Sequence, residues 1–251
     1  MHLFLSPHLD DAILSCGGSI HQLTARGESV TVLTTMTGDP PYDLPETPIT
    51  ADLHQRWQAG YQPAKARRQE DRTALETLGA KFIHIPIQDC VYRAVRKEGV
   101  VTALYPTEES LWGDIHPEDY ALNILRDIRR PTAVAVYTPL GVGQHVDHRI
   151  VRDWGLSLEN VTRVFYEEYP YINAKIEVDR ALDYFAPQQM QLEIRELTDA
   201  DVTAKTRAIA CYNSQISTFW NSIAEMETQT RQSMLDAGNG TPAERFWRIV
   251  K

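Results

Sequence analysis

The chain has 251 residues, 43% apolar and 24% charged, with a net charge of −9. That composition is ordinary for a soluble globular protein, and the negative balance argues against nucleic acid or an anionic membrane as partner, since both call for basic stripes. No run approaches the roughly 20 apolar residues of a membrane span, and Asp10 and Asp11 break the apolar start, so no cleaved signal sequence is expected.

Residues 3–5 form an apolar run that reads as a buried strand, and Ile13, Leu14, Ile20 and Leu23 mark one face of a following helix. His8, Asp10 and Asp11 therefore fall on a loop at the carboxyl end of a strand, where open α/β sheets bind ligands. A catalytic zinc takes three protein ligands from His and carboxylate and keeps a fourth position for water. His8 and Asp11, three residues apart at such a turn, can face one point, and Asp10 between them can accept the proton of the attacking water. The competing structural reading has Asp10 or Asp11 cap the helix.

Residues 29–36 are rich in β-branched side chains and read as a second strand. With the helix before it this is a βαβ unit, which implies a parallel sheet. No Gly-x-Gly-x-x-Gly follows the first strand, which argues against a dinucleotide. Residues 37–63 contain five prolines and a short helix around 53–58. A loop this long is expected to wall the active site, and Trp57 and Tyr61 are candidates to stack on a sugar, packing being the commoner role. A helix over 64–78, ended by Gly79, carries Lys65, Arg67 and Arg68, ordinarily a solvated face. Residues 81–86 form a third strand that delivers Asp89.

Residues 92–114 yield only turns, at Glu98-Gly99 and Trp112-Gly113. A helix over 120–129 stops at Pro131, and His116 before it reads as a surface residue. A fourth strand over 133–137 leads into Gly141-Val142-Gly143 and His145-Val146-Asp147-His148, the source expected for the third metal ligand. The fifth strand, 162–166, is followed by Glu167 and Glu168, an acidic pair that reads either as simply exposed or as contacts for substrate hydroxyls, the latter favoured because this is the ligand-binding edge of the sheet. An edge strand over 189–194 and helices over 199–219 and 223–235 complete the chain, so 198–251 is expected to be mostly helical. No repeat or linker divides the sequence, and one domain over 1–251 is expected. Cys16, Cys90 and Cys211 form no Cys-x-x-Cys pair and fit a reduced, cytoplasmic setting without a cysteine zinc site.

Pro7-His8-Leu9-Asp10-Asp11 resembles the Pro-His-Pro-Asp-Asp-Glu signature of the PIG-L/LmbE-like zinc N-deacetylases, and His145-Val146-Asp147-His148 resembles their His-x-Asp-His signature. Arg67-Arg68-Gln69-Glu70 with Leu78-Gly79 is similar to the family's Arg-x-x-Glu helix, and Asp89 falls where such proteins often carry an Asp. Tyr212-Asn213-Ser214-Gln215 and Ala243-Glu244-Arg245-Phe246-Trp247 resemble a subgroup. Leu9 and Ala12 stand where the family has Pro and Glu. Neither is a metal ligand there, and the departure points to different surroundings of the site and a different substrate.

The resemblance implies an α/β fold, a Rossmann-like three-layer αβα arrangement with a mostly parallel sheet and the active site at the carboxyl ends of the strands. It implies one Zn2+ per chain, or another divalent transition metal, held by His8, Asp11 and His148. Asp10 would be the general base, His145, if protonated, would stabilise the oxyanion, and Asp147 would hold a His side chain in orientation. Arg67 and Asp89 would contact substrate. The implied reaction is hydrolysis of an N-acetyl amide, on an N-acetylglucosamine-type sugar or conjugate, to acetate and a free amine; the oligomeric state, a homo-oligomer among the options, stays open. The rival readings are a differently specific metal hydrolase and a non-catalytic sugar-binding protein of the same fold. A two-metal phosphoesterase needs more His and carboxylates, and a serine hydrolase would need a Gly-x-Ser-x-Gly elbow. The metal reading requires the His8 and His148 rings to lie within about 6 Å of each other.

Overall fold

β1 (His2–Ser6) is buried from its second residue onward, and β2 (Val30–Thr34) is buried at every position, the pattern of strands covered on both faces. α1 (Asp11–Ala25) joins them. The computed structural model, which describes residues 1–57, 63–173 and 175–250, continues with α2 (Pro48–Trp57), α3 (Pro63–Thr77), β3 (Lys81–His84), β4 (Ala94–Lys97), β5 (Val100–Ala103), α4 (Glu108–Leu111) and α5 (Ala121–Asp127). It then runs through β6 (Ala135–Pro139), α6 (Val146–Ser157), β7 (Thr162–Tyr166), α7 (Lys175–Asp183), β8 (Met190–Glu196), α8 (Asp199–Ile209), α9 (Asn213–Phe219), α10 (Ile223–Ala237) and β9 (Ala243–Ile249).

Seven strands form one sheet in the order β3-β2-β1-β6-β7-β9-β8. β3, β2, β1, β6 and β7 run parallel, and β9 pairs antiparallel with both β7 and β8. Strand order reverses between β1 and β6, so the loops leaving these two strands diverge and open a crevice at the carboxyl edge. Alternation along β1 fills both layers. Phe4 packs with Ile13 and Ile20 of α1, Leu75 of α3 and Ile209 of α8, while Leu3 and Leu5 pack with Leu125 of α5 and with Ile150 and Trp154 of α6. This is the three-layer αβα arrangement expected.

α6, which carries two candidate site residues, lies very close to β6. A Cβ at Gly155 would stand 2.5 Å from Thr138 Oγ1 and 2.8 Å from Thr138 Cβ. Gly155→Ala is expected to destabilise the fold by about 1–3 kcal/mol through overpacking, seen as a lowered Tm.

Several elements differ from the sequence expectations. The helix expected near 53–58 begins at Pro48; Trp57's side chain and Tyr61 lie outside the described residues. Residues 92–114 fold into the β4–β5 hairpin, turning at Glu98-Gly99, and into α4. The helix expected over 199–219 is two, α8 and α9, because Tyr212 leaves the helical region at φ −87°, ψ 62°. The C-terminal part is not all helical: β9 inserts into the sheet, and its charged positions mask the strand pattern. One of them, Glu244, is buried and accepts hydrogen bonds from the Gly18 and Ser19 amides and from Lys205 Nζ. α7 falls in a stretch for which no element was expected. Among the described residues no helix is long and apolar enough to cross a membrane.

Candidate metal centre

The loop after β1 is closed by its own polar groups. Ser6 Oγ donates to the His8 carbonyl at 2.7 Å and accepts from the Ala12 amide at 3.0 Å. Asp11 Oδ2 accepts from the His8 amide at 2.8 Å. Asp10 occupies the N-cap position of α1 yet makes no side-chain cap bond, and its backbone sits at φ 153°, ψ −34°, a region that L-residues rarely adopt. Such outliers persist where the surroundings enforce them, commonly at functional sites. The capping reading of Asp10 therefore gives way: its carboxylate faces Arg67, 3.7 Å away.

The loop after β6 turns through Gly141 (φ 93°) and Gly143 (φ 78°). The amides of Leu140, Gly141 and Val142 donate to the buried Glu168 carboxylate at 3.2, 2.8 and 3.2 Å. α6 then starts with His145 as its N-cap, the ring Nδ1 accepting from the Asp147 amide at 3.3 Å.

These two loops bring their side chains to one point. Asp11 Oδ2 lies 3.1 Å from His8 Nδ1 and 3.3 Å from His148 Nε2, and the centroids of the two imidazoles are 5.4 Å apart. The remaining ring nitrogens are each held by a carboxylate: His8 Nε2 is 3.0 Å from Asp147 Oδ2, and His148 Nδ1 is 3.2 Å from Glu168 Oε1. Asp147 is fixed in turn by Arg93 at 2.5 Å and by the Cys90 amide at 3.0 Å; Arg93 also reaches Asp119 at 2.9 Å. Metal-binding histidines have this build, one nitrogen aimed at the cation and the other tied to a carboxylate that fixes the tautomer. His148 Nε2 is buried and, beyond the Asp11 oxygen 3.3 Å away, which it meets without good hydrogen-bond geometry, faces no partner among the described residues, a condition that a cation between the two would relieve. Two imidazoles and one carboxylate match a catalytic zinc site, so the residues fit the ion.

The charges follow from this crowding. Burial disfavours charge on His8, but Asp89, Asp11 and Asp147 outweigh it and hold the imidazole well above its ordinary value. Burial likewise opposes charge on His148, yet Asp11 and Glu168 raise it to about 9. Burial pushes Asp147 upward, but Arg93 and His8 hold it well below the usual carboxylate range, so it stays anionic. Burial raises Asp10 to about 7, against the pull of Arg67 and with help from Asp11. A carboxyl balanced there can take up and give back a proton near neutrality.

All the site residues named from the sequence converge here. Arg67, 8% exposed, reaches the Leu9 carbonyl at 3.4 Å as well as Asp10; it belongs to the site, not to a solvated helix face. Asp89 Oδ2 stands 3.7 Å from His8 Nε2, while its Oδ1 accepts from the Val91 amide at 3.2 Å. The His145 ring lies 5.1 Å from that of His8 and 5.3 Å from that of His148, with the edge of Trp112 5.1 Å away. A small cleft opens alongside, lined by Leu9, Met36, Arg67, Asp89 and Tyr92 among others.

Two expectations are corrected. His145 was expected to stabilise the oxyanion if protonated; burial, with His8 and His148 adding to it, pushes the imidazole well below its ordinary value, so the neutral form, not the protonated one, is favoured. Because Nδ1 accepts from the Asp147 amide, the proton belongs on Nε2. Glu167 and Glu168 do not present themselves to substrate. Both are buried; Glu168 braces His148 and the Gly141 turn, and Glu167 accepts from Trp247 Nε1 at 2.7 Å. Glu168→Gln is expected to weaken metal binding about 10–100-fold, the usual effect of losing a carboxylate behind a metal His, measurable by competition with a chromophoric chelator. Sequence reasoning also missed Arg93 and Trp112, which lie in the stretch that had yielded only turns.

Residues 3–158, more than half of the chain, match the family model described as PIG-L: GlcNAc-PI de-N-acetylase. The chain is similar to a 2'-N-acetylparomamine deacetylase from Niallia circulans, 28% identical over 98% of this chain and 89% of that protein. Among solved structures it is similar to the deacetylase of a teicoplanin biosynthesis pathway in complex with teicoplanin, with a TM-score of 0.76 and 25% identity over 99% of this chain and 98% of that one. It also shares its fold with the N,N'-diacetylchitobiose deacetylase from Pyrococcus horikoshii, at a TM-score of 0.54 and 19% identity over 99% and 83% of the two chains.

Proposed function

The chain belongs to the PIG-L family of de-N-acetylases, and on that premise we propose that it is a zinc-dependent hydrolase of the N-acyl amide on an amino-sugar unit of a larger conjugate. The observation that carries this reading is the convergence of His8 Nδ1 and His148 Nε2 on one oxygen of Asp11, each ring braced by a carboxylate behind it. The substrate class is supported by two relatives, one a 2'-N-acetylparomamine deacetylase and one a deacetylase in complex with teicoplanin. A single domain in a reduced cytoplasmic setting is part of the same reading, supported by three cysteines that are all free.

His8, Asp11 and His148 would hold the ion. Bound there, zinc supplies a Lewis acid for the attacking water and the amide oxygen. Asp10, buried beside Arg67 and next to the ligand Asp11, takes a proton from the water as it attacks the acyl carbon. His145 donates its Nε2–H to the oxyanion that develops on the former carbonyl, as a neutral imidazole. Asp10, now protonated, gives its proton to the departing nitrogen, which leaves as an amine. Asp147 keeps His8 in orientation throughout, and Arg67 holds Asp10 and faces the cleft where the sugar would lie.

The test is acetate release by metal-loaded protein across N-acetylglucosamine, an N-acetylated aminoglycoside fragment and an N-acetylated glycopeptide. Turnover of at least one conjugate, lost on chelation and regained with zinc, is expected. Turnover that survives full chelation would overturn the zinc dependence, and release from none of the three would overturn the substrate class.

A further inference from the structure

A second group of donor atoms stands beside the candidate metal centre without sharing a ligand with it. Cys90 Sγ lies 3.8 Å from His145 Nε2. These two atoms and a carboxylate oxygen of Asp147 all lie within 4.8 Å of one another. Asp89 Oδ1 is 3.5 Å from the same sulfur. Zinc bonds of about 2.3 Å to sulfur and about 2.0–2.1 Å to nitrogen at a tetrahedral angle put the two donors roughly 3.6 Å apart. Cys90 and His145 are already near that separation.

We propose that Cys90, His145 and Asp147 form a second, soft-metal site that binds zinc or cadmium and shuts down the enzyme when filled. Thiolate with imidazole is a donor pair that selects such cations over magnesium or calcium. Coordination forms the metal–sulfur bond and releases the thiol proton to solvent. The inhibitory half of the proposal rests on the deacetylase reading. A cation on His145 Nε2 removes the hydrogen-bond donor from the oxyanion, and one on Asp147 competes for the oxygen that orients His8 Nε2. The Cys90 side chain takes no part in the proposed reaction; only its backbone amide serves Asp147.

The experiment loads the full chain with one and then two equivalents of cadmium. The second equivalent is expected to bring an ultraviolet sulfur-to-cadmium charge-transfer band and a second cadmium NMR resonance shifted by one sulfur ligand. Deacetylation should fall with it by about 10²–10³-fold, the loss typical of removing one oxyanion donor. Cys90→Ser is expected to keep the activity of the one-metal protein, show no band and resist the second equivalent. Cys211→Ser, at the partly exposed cysteine, should leave the band in place.

Absence of the band in the wild-type chain, or a band that survives Cys90→Ser, overturns the site. Full activity with the band present overturns the inhibition. Should Cys90→Ser fail to fold, the wild-type NMR spectrum decides by itself, since a second resonance without a sulfur shift is contradictory. A one-metal protein without deacetylase activity counts against the proposed function instead, and the band still reports on the second site.

Discussion

Asp11→Ala is expected to strip the protein of its metal and reduce deacetylation to background. Asp11 Oδ2 is the one atom that both His8 Nδ1 and His148 Nε2 face, at 3.1 and 3.3 Å. Without it the donors of His8 and His148 keep, among the described residues, only the His145 imidazole within 4.8 Å of both, and no carboxylate oxygen joins the two rings. Losing a partner behind a metal ligand costs about 10–100-fold in affinity, and loss of the ligand itself should exceed that. The protein as isolated and after dialysis against a mild chelator should contain less than a tenth of the wild-type zinc. Asp11 also accepts the His8 amide, so thermal unfolding of the metal-free forms must be compared alongside. Wild-type zinc content in Asp11→Ala would remove Asp11 from the ligand set.

Asp10→Asn has the opposite signature. Metal content should be unchanged and kcat should fall about 10²–10⁴-fold, the range for a general acid–base group. The substitution is gentle on the fold for a specific reason. Asp10 occupies the N-cap position without making a side-chain cap bond, so the exchange removes no cap. Volume and hydrogen-bonding shape are kept while the ability to take a proton is lost. A variant with wild-type zinc and near wild-type turnover would remove Asp10 from the proton path.

Much of this arrangement was legible from the chain because short-range chemistry encoded it. The run of residues 3–5 and the β-branched stretch after it gave the parallel centre of the sheet, and the loops after β1 and β6 carried their His and Asp residues where that topology exposes them. What was hidden came through long-range pairing. Glu168 looks like an exposed acid in sequence because nothing near it shows that three amides of the Gly141 turn point at it. Arg93 is silent for the same reason: it is fully buried by pairing with Asp147 and Asp119, distant in sequence. β9 carries Glu244, Arg245 and Arg248, so its strand pattern is visible only once Lys205 and the α1 amides are there to receive Glu244. The neutrality of His145 was equally out of reach, since it follows from burial between two other imidazoles.

Anomalous diffraction at the zinc edge from crystals of the chain loaded with one equivalent is the most direct check of the central claim. A single peak bonded to His8 Nδ1, Asp11 and His148 Nε2 at about 2.0–2.2 Å, with Asp10 and His145 unliganded, is the result the geometry predicts. A peak away from these three side chains, or one in which His148 takes no part, would contradict it.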